Sequence, residues 1–208
     1  MNDAEPTVFI VDDDPSVRRS IERLVRSMGF AVQTFASAKE FTDHVRLDGP
    51  ACLVLDVHLP DLSGLDLQRE LARSGLQIPI IFITGRGTIP MSVRAMKEGA
   101  VEFLTKPTRS RDLLVAIQAA IERDRASRGA RLEVDALRER YARLTEREQE
   151  VMALMITGRL NKQIAGALAT TERTVKFHRA HIMRKMEADS VAELVRIAGQ
   201  LGLVLEKG

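Results

Sequence analysis

The chain has 208 residues, of which 45% are apolar and 29% are charged, a composition typical of globular proteins. No apolar run approaches the roughly 18 residues of a membrane span, and the acidic N-terminus lacks the basic and apolar regions of a signal peptide. A single cysteine, Cys52, excludes an intramolecular disulfide. These features predict a cytoplasmic protein.

Charge is divided unevenly along the chain. Residues 1–124 contain 15 Lys and Arg against 18 Asp and Glu, a net charge of −3. Residues 125–208 contain 16 and 11, a net charge of +5. An acidic first part and a basic second part indicate two domains with different partners.

The first part alternates short apolar runs with helical patterns. The five runs that predict strands cover residues 7–11, 31–35, 51–55, 79–83 and 100–104. Between them, apolar residues recur every three or four positions, as from Val17 to Met28 before Gly29. This alternation predicts an α/β fold with a doubly wound, parallel five-stranded sheet. A helix from Asp112 to about Arg125 closes the fifth unit.

Charged side chains follow several of these runs directly. Asp12 and Asp13 come after the first run, Asp56 after the third, and Lys106 soon after the fifth. The carboxyl ends of parallel strands meet at one edge of a sheet, where ligands bind. Three carboxylates confined there repel at roughly 1–4 kcal/mol per pair at 4 Å, which a divalent cation offsets. Hard oxygen ligands favour Mg²⁺, so we predict a magnesium site that handles phosphate.

Residues 125–143 are rich in charge, yet Leu137, Tyr141 and Leu144 recur at helical spacing. The pattern predicts a helical linker that either continues the preceding helix or is interrupted at Gly129. A solvated spacer without a regulatory role explains the composition equally well.

Residues 144–208 carry helix signals only, and we predict an all-α domain of four short helices. Thr145 and Glu148 form a capping box at the first helix. Asn161 is the predicted N-cap of the second and Thr171 of the third. Ser190 with Glu193 forms another box before the fourth.

The second and third of these helices have the arrangement of a helix-turn-helix, from about Asn161 to Ala180. If Val175, Ile182 and Met186 form the buried stripe of the third helix, its outer face carries Arg173, Phe177, Ala180, His181 and Arg184. An exposed Phe among cations fits contact with a thymine methyl in the major groove, while the cations engage phosphates.

At this point the chain resembles, over essentially its whole length, a two-component response regulator of the FixJ/NarL class. Three segments resemble those of receiver domains. The acidic-pair segment corresponds to Phe9–Asp14, the phosphoacceptor segment to Leu55–Pro60, and the lysine segment to Phe103–Pro107. Three further segments resemble a LuxR-type DNA-binding domain, and they are Leu144–Glu148, Asn161–Ala165 and Thr174–His178.

The resemblance implies a flavodoxin-like receiver domain (1–124), the helical linker (125–143) and the helix-turn-helix domain (144–208). It implies that Asp56 accepts a phosphoryl group from a histidine kinase, and that Lys106 and Thr84 bind the phosphoryl oxygens. Asp13, Asp56 and the main-chain carbonyl of His58 would ligate Mg²⁺ directly, with Asp12 holding a metal-bound water.

The resemblance also implies a switch, in which Phe103 turns inward as Thr84 moves and reshapes a dimer face between Ile89 and Ala100. The phosphorylated dimer would bind promoter DNA, with RNA polymerase as a candidate partner. The predicted DNA-contacting positions are Lys162, Thr171, Thr174, Lys176, Phe177, Ala180, His181 and Arg184. Without the resemblance, Thr84 could equally be a turn-forming residue. Phe103 could equally be an aromatic residue of the core.

Two other functions are compatible with parts of the pattern. One is a magnesium phosphatase of the haloacid dehalogenase type, but that family places its nucleophile after the first strand, whereas the single Asp56 follows the third. The other is a signalling adaptor whose C-terminal helices bind protein. We expect a regulator of transcription rather than a turnover enzyme.

Overall fold

The structure is a computed structural model that describes residues 5–203, and the chain divides into two compact units, Met1–Arg128 and Gly129–Gly208. The strands of the first unit are β1 (Thr7–Val11), β2 (Ala31–Phe35), β3 (Ala51–Asp56), β4 (Ile80–Thr84) and β5 (Glu102–Thr105). Its helices are α1 (Pro15–Arg26), α2 (Ala38–His44), α3 (Gly64–Arg73), α4 (Ile89–Lys97) and the first part of α5 (Ser110–Ala142).

The five strands form one parallel sheet in the order β2-β1-β3-β4-β5, which confirms the predicted fold. The order reverses between β1 and β3, and ligands of such sheets bind at the carboxyl edge beside that reversal. β3 is the central strand, and all six of its residues are buried. The side chain at the end of β3 therefore lies in the middle of the ligand-binding edge.

Successive residues of each strand face opposite sides of the sheet, and two apolar cores result. One core includes Phe9, Phe41 and Phe82, and the other includes Ile10 with Ile117 of α5. Helices cover both faces, which is why the strands are continuous apolar runs in the sequence.

Two strands begin later than the sequence predicts. β4 begins at Ile80 because Pro79 has no N–H to donate, although its carbonyl oxygen accepts a hydrogen bond from the Leu53 N–H at 2.9 Å. β5 begins at Glu102 because the Ala100 N–H bonds to the carbonyl oxygen of Ala95, 3.0 Å away, and so ends α4.

α5 runs without a break for 33 residues, through Gly129. Of the two alternatives predicted for the linker, continuation of the preceding helix is correct and interruption at Gly129 is wrong. The predicted end of that helix near Arg125 is also wrong. A glycine inside a helix costs about 1 kcal/mol relative to alanine, and the surrounding turns tolerate that cost. One contribution is the ion pair between Arg128 Nε and Asp124 Oδ2, 2.7 Å apart.

The second unit contains the end of α5 followed by α6 (Glu146–Ile156), α7 (Asn161–Ala167), α8 (Glu172–Met186) and α9 (Val191–Gln200). Its core includes Leu137, Val151, Val175, Ile182 and Met186. The predicted buried stripe of α8 is therefore confirmed. None of the helices among residues 5–203 is long and apolar enough to cross a membrane.

The predicted helix caps at Thr145 and Thr171 are confirmed, and the box at Ser190 is confirmed only in part. Ser190 Oγ accepts the Glu193 N–H at 3.1 Å, but Glu193 Oε2 accepts the Asp189 N–H at 2.9 Å instead of the Ser190 N–H. The Thr145 N–H donates to Glu148 Oε2 at 2.9 Å, and the Glu148 N–H donates to Thr145 Oγ1 at 3.3 Å. Thr171 caps α8. Asn161 is not a cap, because Leu160 occupies that position and its N–H donates to Gln163 Oε1, 2.8 Å away.

Candidate functional site

Three carboxylates meet at the carboxyl edge of the sheet. Asp12 and Asp13 follow β1, and Asp56 ends the neighbouring β3. One oxygen from each lies within 4.8 Å of the others. Asp12 and Asp56 are buried, whereas Asp13 is exposed to solvent. The strand order thus brings together residues that are more than 40 positions apart in the sequence.

Lys106, which follows β5, reaches across the edge to two of these carboxylates. Its Nζ lies 2.6 Å from Asp12 Oδ2 and 2.6 Å from Asp56 Oδ2. Its main-chain N–H donates to the carbonyl oxygen of Thr84 at 2.7 Å, which fixes the start of the side chain. The three carboxylates and the ammonium together carry a formal charge of −2, and their hard oxygen donors fit a divalent cation such as Mg²⁺.

Burial and pairing act in opposite directions on the pKa values of these groups. Burial raises the pKa of Asp12, and the hydrogen bond from Lys106 only partly opposes this. Burial lowers the pKa of Lys106, but its hydrogen bonds with Asp12 and Asp56 outweigh that effect and the net result is a raised pKa. Lys106 is therefore protonated and positively charged at neutral pH.

Main-chain N–H groups bind the carboxylate oxygens that Lys106 leaves free. The His58 N–H donates to Asp56 Oδ1 at 3.0 Å, and the Asp14 N–H donates to Asp12 Oδ1 at 3.0 Å. These bonds hold both carboxylates in fixed orientations.

Gly64 allows the loop after β3 to lie against the phosphoacceptor candidate. A Cβ atom on Gly64 would lie 2.3 Å from the carbonyl oxygen of Asp56, far inside van der Waals contact. The Gly64 N–H also donates to the carbonyl oxygen of Val57 at 2.9 Å. The close approach explains why glycine occupies the first position of α3.

Thr84 ends β4 on the other side of Asp56 and is fully buried. Its hydroxyl accepts a hydrogen bond from the Arg86 N–H at 3.2 Å and pairs with His58 Nδ1, also at 3.2 Å. Sequence reasoning included only the main-chain carbonyl of His58. It missed the contact of the imidazole ring, because no sequence signal indicates where a loop side chain points.

Phe103 lies on β5, half-buried, with its ring centroid 6.0 Å from that of Phe82. The loop after β4 touches both predicted switch residues through Gly87. A Cβ atom on Gly87 would lie 3.0 Å from Phe103 Cε1 and 3.1 Å from Thr84 Cγ2. The Gly87 backbone is therefore packed close to both Thr84 and Phe103.

Exposed apolar side chains cluster on α4, within the predicted dimer face. Ile89 is 81% exposed, Val93 46% and Met96 45%. Large apolar side chains grouped on one exposed helix face often mark an interaction surface.

The second unit presents most of the predicted DNA-contacting side chains to solvent. Phe177 on α8 is 58% exposed. The other exposed members are Lys162, Thr171, Lys176, Ala180 and Arg184. Thr174 is half-buried, and its hydroxyl lies 2.9 Å from that of Thr171.

His181 differs from the outward position that helical rotation predicts. It is half-buried, with Nδ1 3.7 Å from Glu148 Oε1 of α6 and its ring centroid 4.1 Å from that of Phe177. Lys185 is likewise engaged, because its Nζ lies 2.6 Å from Glu148 Oε2. The packing of α6 against α8 brings both side chains to Glu148, and sequence periodicity alone does not reveal it.

Comparisons with known proteins match both units. Residues 8–118 match the response regulator receiver domain, and residues 142–198 match the luxR family of bacterial regulatory proteins. Nodulation protein W of Bradyrhizobium diazoefficiens is 54% identical over 196 residues, covering 94% of this chain and 86% of that protein. The response regulator protein TodT of Pseudomonas putida is 47% identical over 206 residues, covering 99% and 91%.

A solved structure extends the match to the fold of the full chain. The response regulator StyR is 48% identical and superposes with a TM-score of 0.86, covering 95% of this chain and 100% of that one. The two family matches identify a regulator of transcription rather than a turnover enzyme, which removes the phosphatase alternative. The luxR family match likewise favours DNA over a protein adaptor role. The chain therefore belongs to the response regulators that join a receiver domain to a LuxR-type DNA-binding domain, and it is a transcription regulator of a two-component system.

Proposed function

We propose that Asp56 accepts a phosphoryl group from a histidine kinase and that this modification drives dimerisation and DNA binding. The observation that carries the proposal is the convergence of Lys106 on Asp12 and Asp56, at 2.6 Å from each. A fixed ammonium beside a carboxylate at a sheet edge suits phosphoryl transfer, which depends on positioning and charge neutralisation.

In the proposed transfer, an oxygen of Asp56 attacks the phosphorus of a phosphohistidine. The new P–O bond forms as the P–N bond breaks, and the histidine nitrogen keeps the electron pair. Asp12, Asp13, Asp56 and the main-chain carbonyl of His58 are the residues that would hold Mg²⁺. The cation would supply positive charge to the phosphoryl oxygens.

The proposed switch follows from the groups around the new phosphoryl group. Lys106 binds one phosphoryl oxygen, and the Thr84 hydroxyl leaves His58 to bind another. Phe103 turns inward in response. Moving a two-state equilibrium from 1:99 to 99:1 requires roughly 5.5 kcal/mol, and a few charge-assisted hydrogen bonds of about 1.5–3 kcal/mol each supply it.

The proposed dimer forms through α4 and β5, where Ile89, Val93 and Met96 are exposed. It would present two copies of α8 to DNA half-sites about 34 Å apart, one turn of the duplex. Lys162, Thr171, Lys176 and Arg184 suit phosphate or base-edge contacts, and Phe177 suits a thymine methyl. RNA polymerase at the promoter is a candidate partner, and the cytoplasm is the compartment where such DNA is found.

We also propose the functional boundaries 1–124 for the receiver, 125–143 for the linker and 144–208 for the DNA-binding domain. The family matches to residues 8–118 and 142–198 support this division. The second part of α5 would then be the linker.

The test combines a small phosphodonor, Mg²⁺ and mass spectrometry of the full chain. We expect one phosphoryl group on the wild type and none on Asp56→Asn. Asp43→Asn, which removes an exposed carboxylate of α2, is the matched control and should behave as the wild type. Sedimentation of the same samples should show a dimer only where Asp56 is phosphorylated. Equal phosphate uptake by Asp56→Asn would contradict the proposal.

A further inference from the structure

The exposed Phe177 is held on one side by a second aromatic ring. Its ring centroid lies 4.1 Å from that of His181, with the two planes tilted by 40°. An exposed Phe without such a neighbour samples several rotamers, and ordering it on binding costs entropy. Here the residue one turn further along α8 covers one face of the ring, while 58% of Phe177 stays accessible.

His181 in turn lies against α6. Its Nδ1 lies 3.7 Å from Oε1 of the buried Glu148. Glu148 is fixed through Oε2, which lies 2.6 Å from Lys185 Nζ and accepts the Thr145 N–H at 2.9 Å. A line of contacts therefore runs from a buried carboxylate through an imidazole to an exposed aromatic ring.

We infer that His181 is a positioning residue, which holds the Phe177 ring for contact with the 5-methyl group of a thymine in the major groove. The inference rests on the proposed DNA-binding function and replaces the expected direct contact of His181 with DNA. Ile182 and Met186 are fully buried and fix the rotation of α8, so the ring pair has a defined direction. Preorganisation of this kind strengthens binding by reducing the ordering that binding requires.

The 5-methyl group offers a sharp chemical test, because thymine and uracil differ only there. Both bases present the same oxygen acceptor in the major groove. Losing one buried methyl should weaken binding about fourfold. A loss in hydrogen bonding or in phosphate contacts would not depend on the methyl group.

The experiment uses the full chain, phosphorylated on Asp56, and a duplex selected from a random DNA library. Each thymine is replaced singly by uracil, and the dissociation constant is measured by fluorescence anisotropy. We expect about fourfold discrimination at one thymine in each half-site for the wild type. Phe177→Ala should abolish it, and His181→Ala should reduce it to less than twofold. His181→Tyr, which keeps a ring beside Phe177, should retain it.

The controls separate this inference from simple destabilisation and from the proposed function. The ratio of two dissociation constants for one variant does not depend on how much of that variant is folded, and thermal unfolding is recorded alongside. His44→Ala, which removes a histidine from α2, should leave the ratio unchanged. Three outcomes would overturn the inference. They are full discrimination between thymine and uracil by His181→Ala, loss of that discrimination in His181→Tyr, and no discrimination by the wild type. If the chain binds no duplex at all, the proposed function itself fails.

Discussion

Lys106 and Asp56 form an ion pair, with Nζ 2.6 Å from Oδ2, and the same ammonium also pairs with the buried Asp12. The Lys106 ammonium, which the proposed phosphoryl transfer needs, is thus already in place in the folded structure. Removing it leaves adjacent carboxylates without a counter-charge, which is costly for buried groups.

We therefore expect Lys106→Met to lower the free energy of unfolding of the first unit by about 3 kcal/mol in buffer without divalent cations. Added Mg²⁺ should restore part of this loss, and more than it adds to the wild type, because it takes over the missing positive charge. Urea unfolding followed by circular dichroism measures both effects. Lys39→Met at an exposed lysine is the control. Equal Mg²⁺ effects on the variant and the wild type would contradict this expectation.

Gly64→Ala should destabilise the first unit by about 1–3 kcal/mol, the usual cost of forcing extra atoms into a packed site. The added Cβ would meet the Asp56 carbonyl oxygen at 2.3 Å, and a main-chain atom has little room to move. Gly129→Ala is the matched control, because a Cβ there meets nothing within 4 Å. It should stabilise α5 by about 0.5–1 kcal/mol. Thermal unfolding distinguishes the two, and an unchanged Gly64→Ala would refute the close approach.

His58→Ala should favour the phosphorylated state, because it frees the Thr84 hydroxyl from its 3.2 Å contact with the imidazole. A hydrogen bond contributes about 1 kcal/mol, which corresponds to roughly fivefold tighter binding of a phosphoryl mimic. Beryllofluoride titration followed by fluorine NMR measures this affinity. His44→Ala removes another exposed histidine ring, whose Nδ1 lies 2.8 Å from the Glu40 carbonyl oxygen, and should have no effect. Weaker binding by His58→Ala would mean that the ring assists Thr84 instead.

Glu148 should make the second unit sensitive to acid. Burial would raise its pKa, but the hydrogen bonds from Lys185 and the Thr145 N–H outweigh burial and lower it below 4.5. A lowered pKa in the folded state means that the carboxylate stabilises the fold above about pH 4.5, and that this contribution is lost as the pH falls through the folded-state pKa. The groups that face it are Lys185, His181 and Thr145.

Glu148→Gln should therefore be less stable than the wild type at pH 7, by about 1.5–3 kcal/mol, with the difference shrinking as the pH falls below 4.5. Tyr141 is the only tyrosine of a chain without tryptophan, and it packs against the second core. Its fluorescence reports unfolding of this unit within the full chain. Glu150→Gln, at an exposed position of the same helix, is the control. A difference that stays constant with pH would contradict the assignment.

Much of the first unit could be predicted from the sequence, because one physical rule connects the pattern to the site. Buried parallel strands are continuous apolar runs, and the residues that end them share one edge. Asp12, Asp56 and Lys106 could therefore be placed together before any contact was known. Their pairing was less predictable, since a lysine that bridges two carboxylates and one that points to solvent share the same sequence.

Positions whose outcome depends on a neighbouring helix or turn were harder to predict from the sequence. Helical rotation places His181 beside Phe177, but only the position of α6 and its Glu148 turns the ring inward. The cap of α7 is similar, because Asn161 has the better intrinsic preference and yet the chain enters the helix one residue earlier. At Gly129 the local cost of glycine was real, but the neighbouring turns of α5 determined the outcome.

The position of β3 in the centre of the sheet has a consequence for signalling. Asp56 has β1 with the acidic pair on one flank, and β4 with the hydroxyl of Thr84 on the other. A negative charge added to Asp56 would therefore act on the side chains that end both neighbouring strands. In the proposed function, Asp56 would receive the phosphoryl group beside the acidic pair of β1 and pass the change on through β4, so that the kinase and the second copy of the chain would use different surfaces.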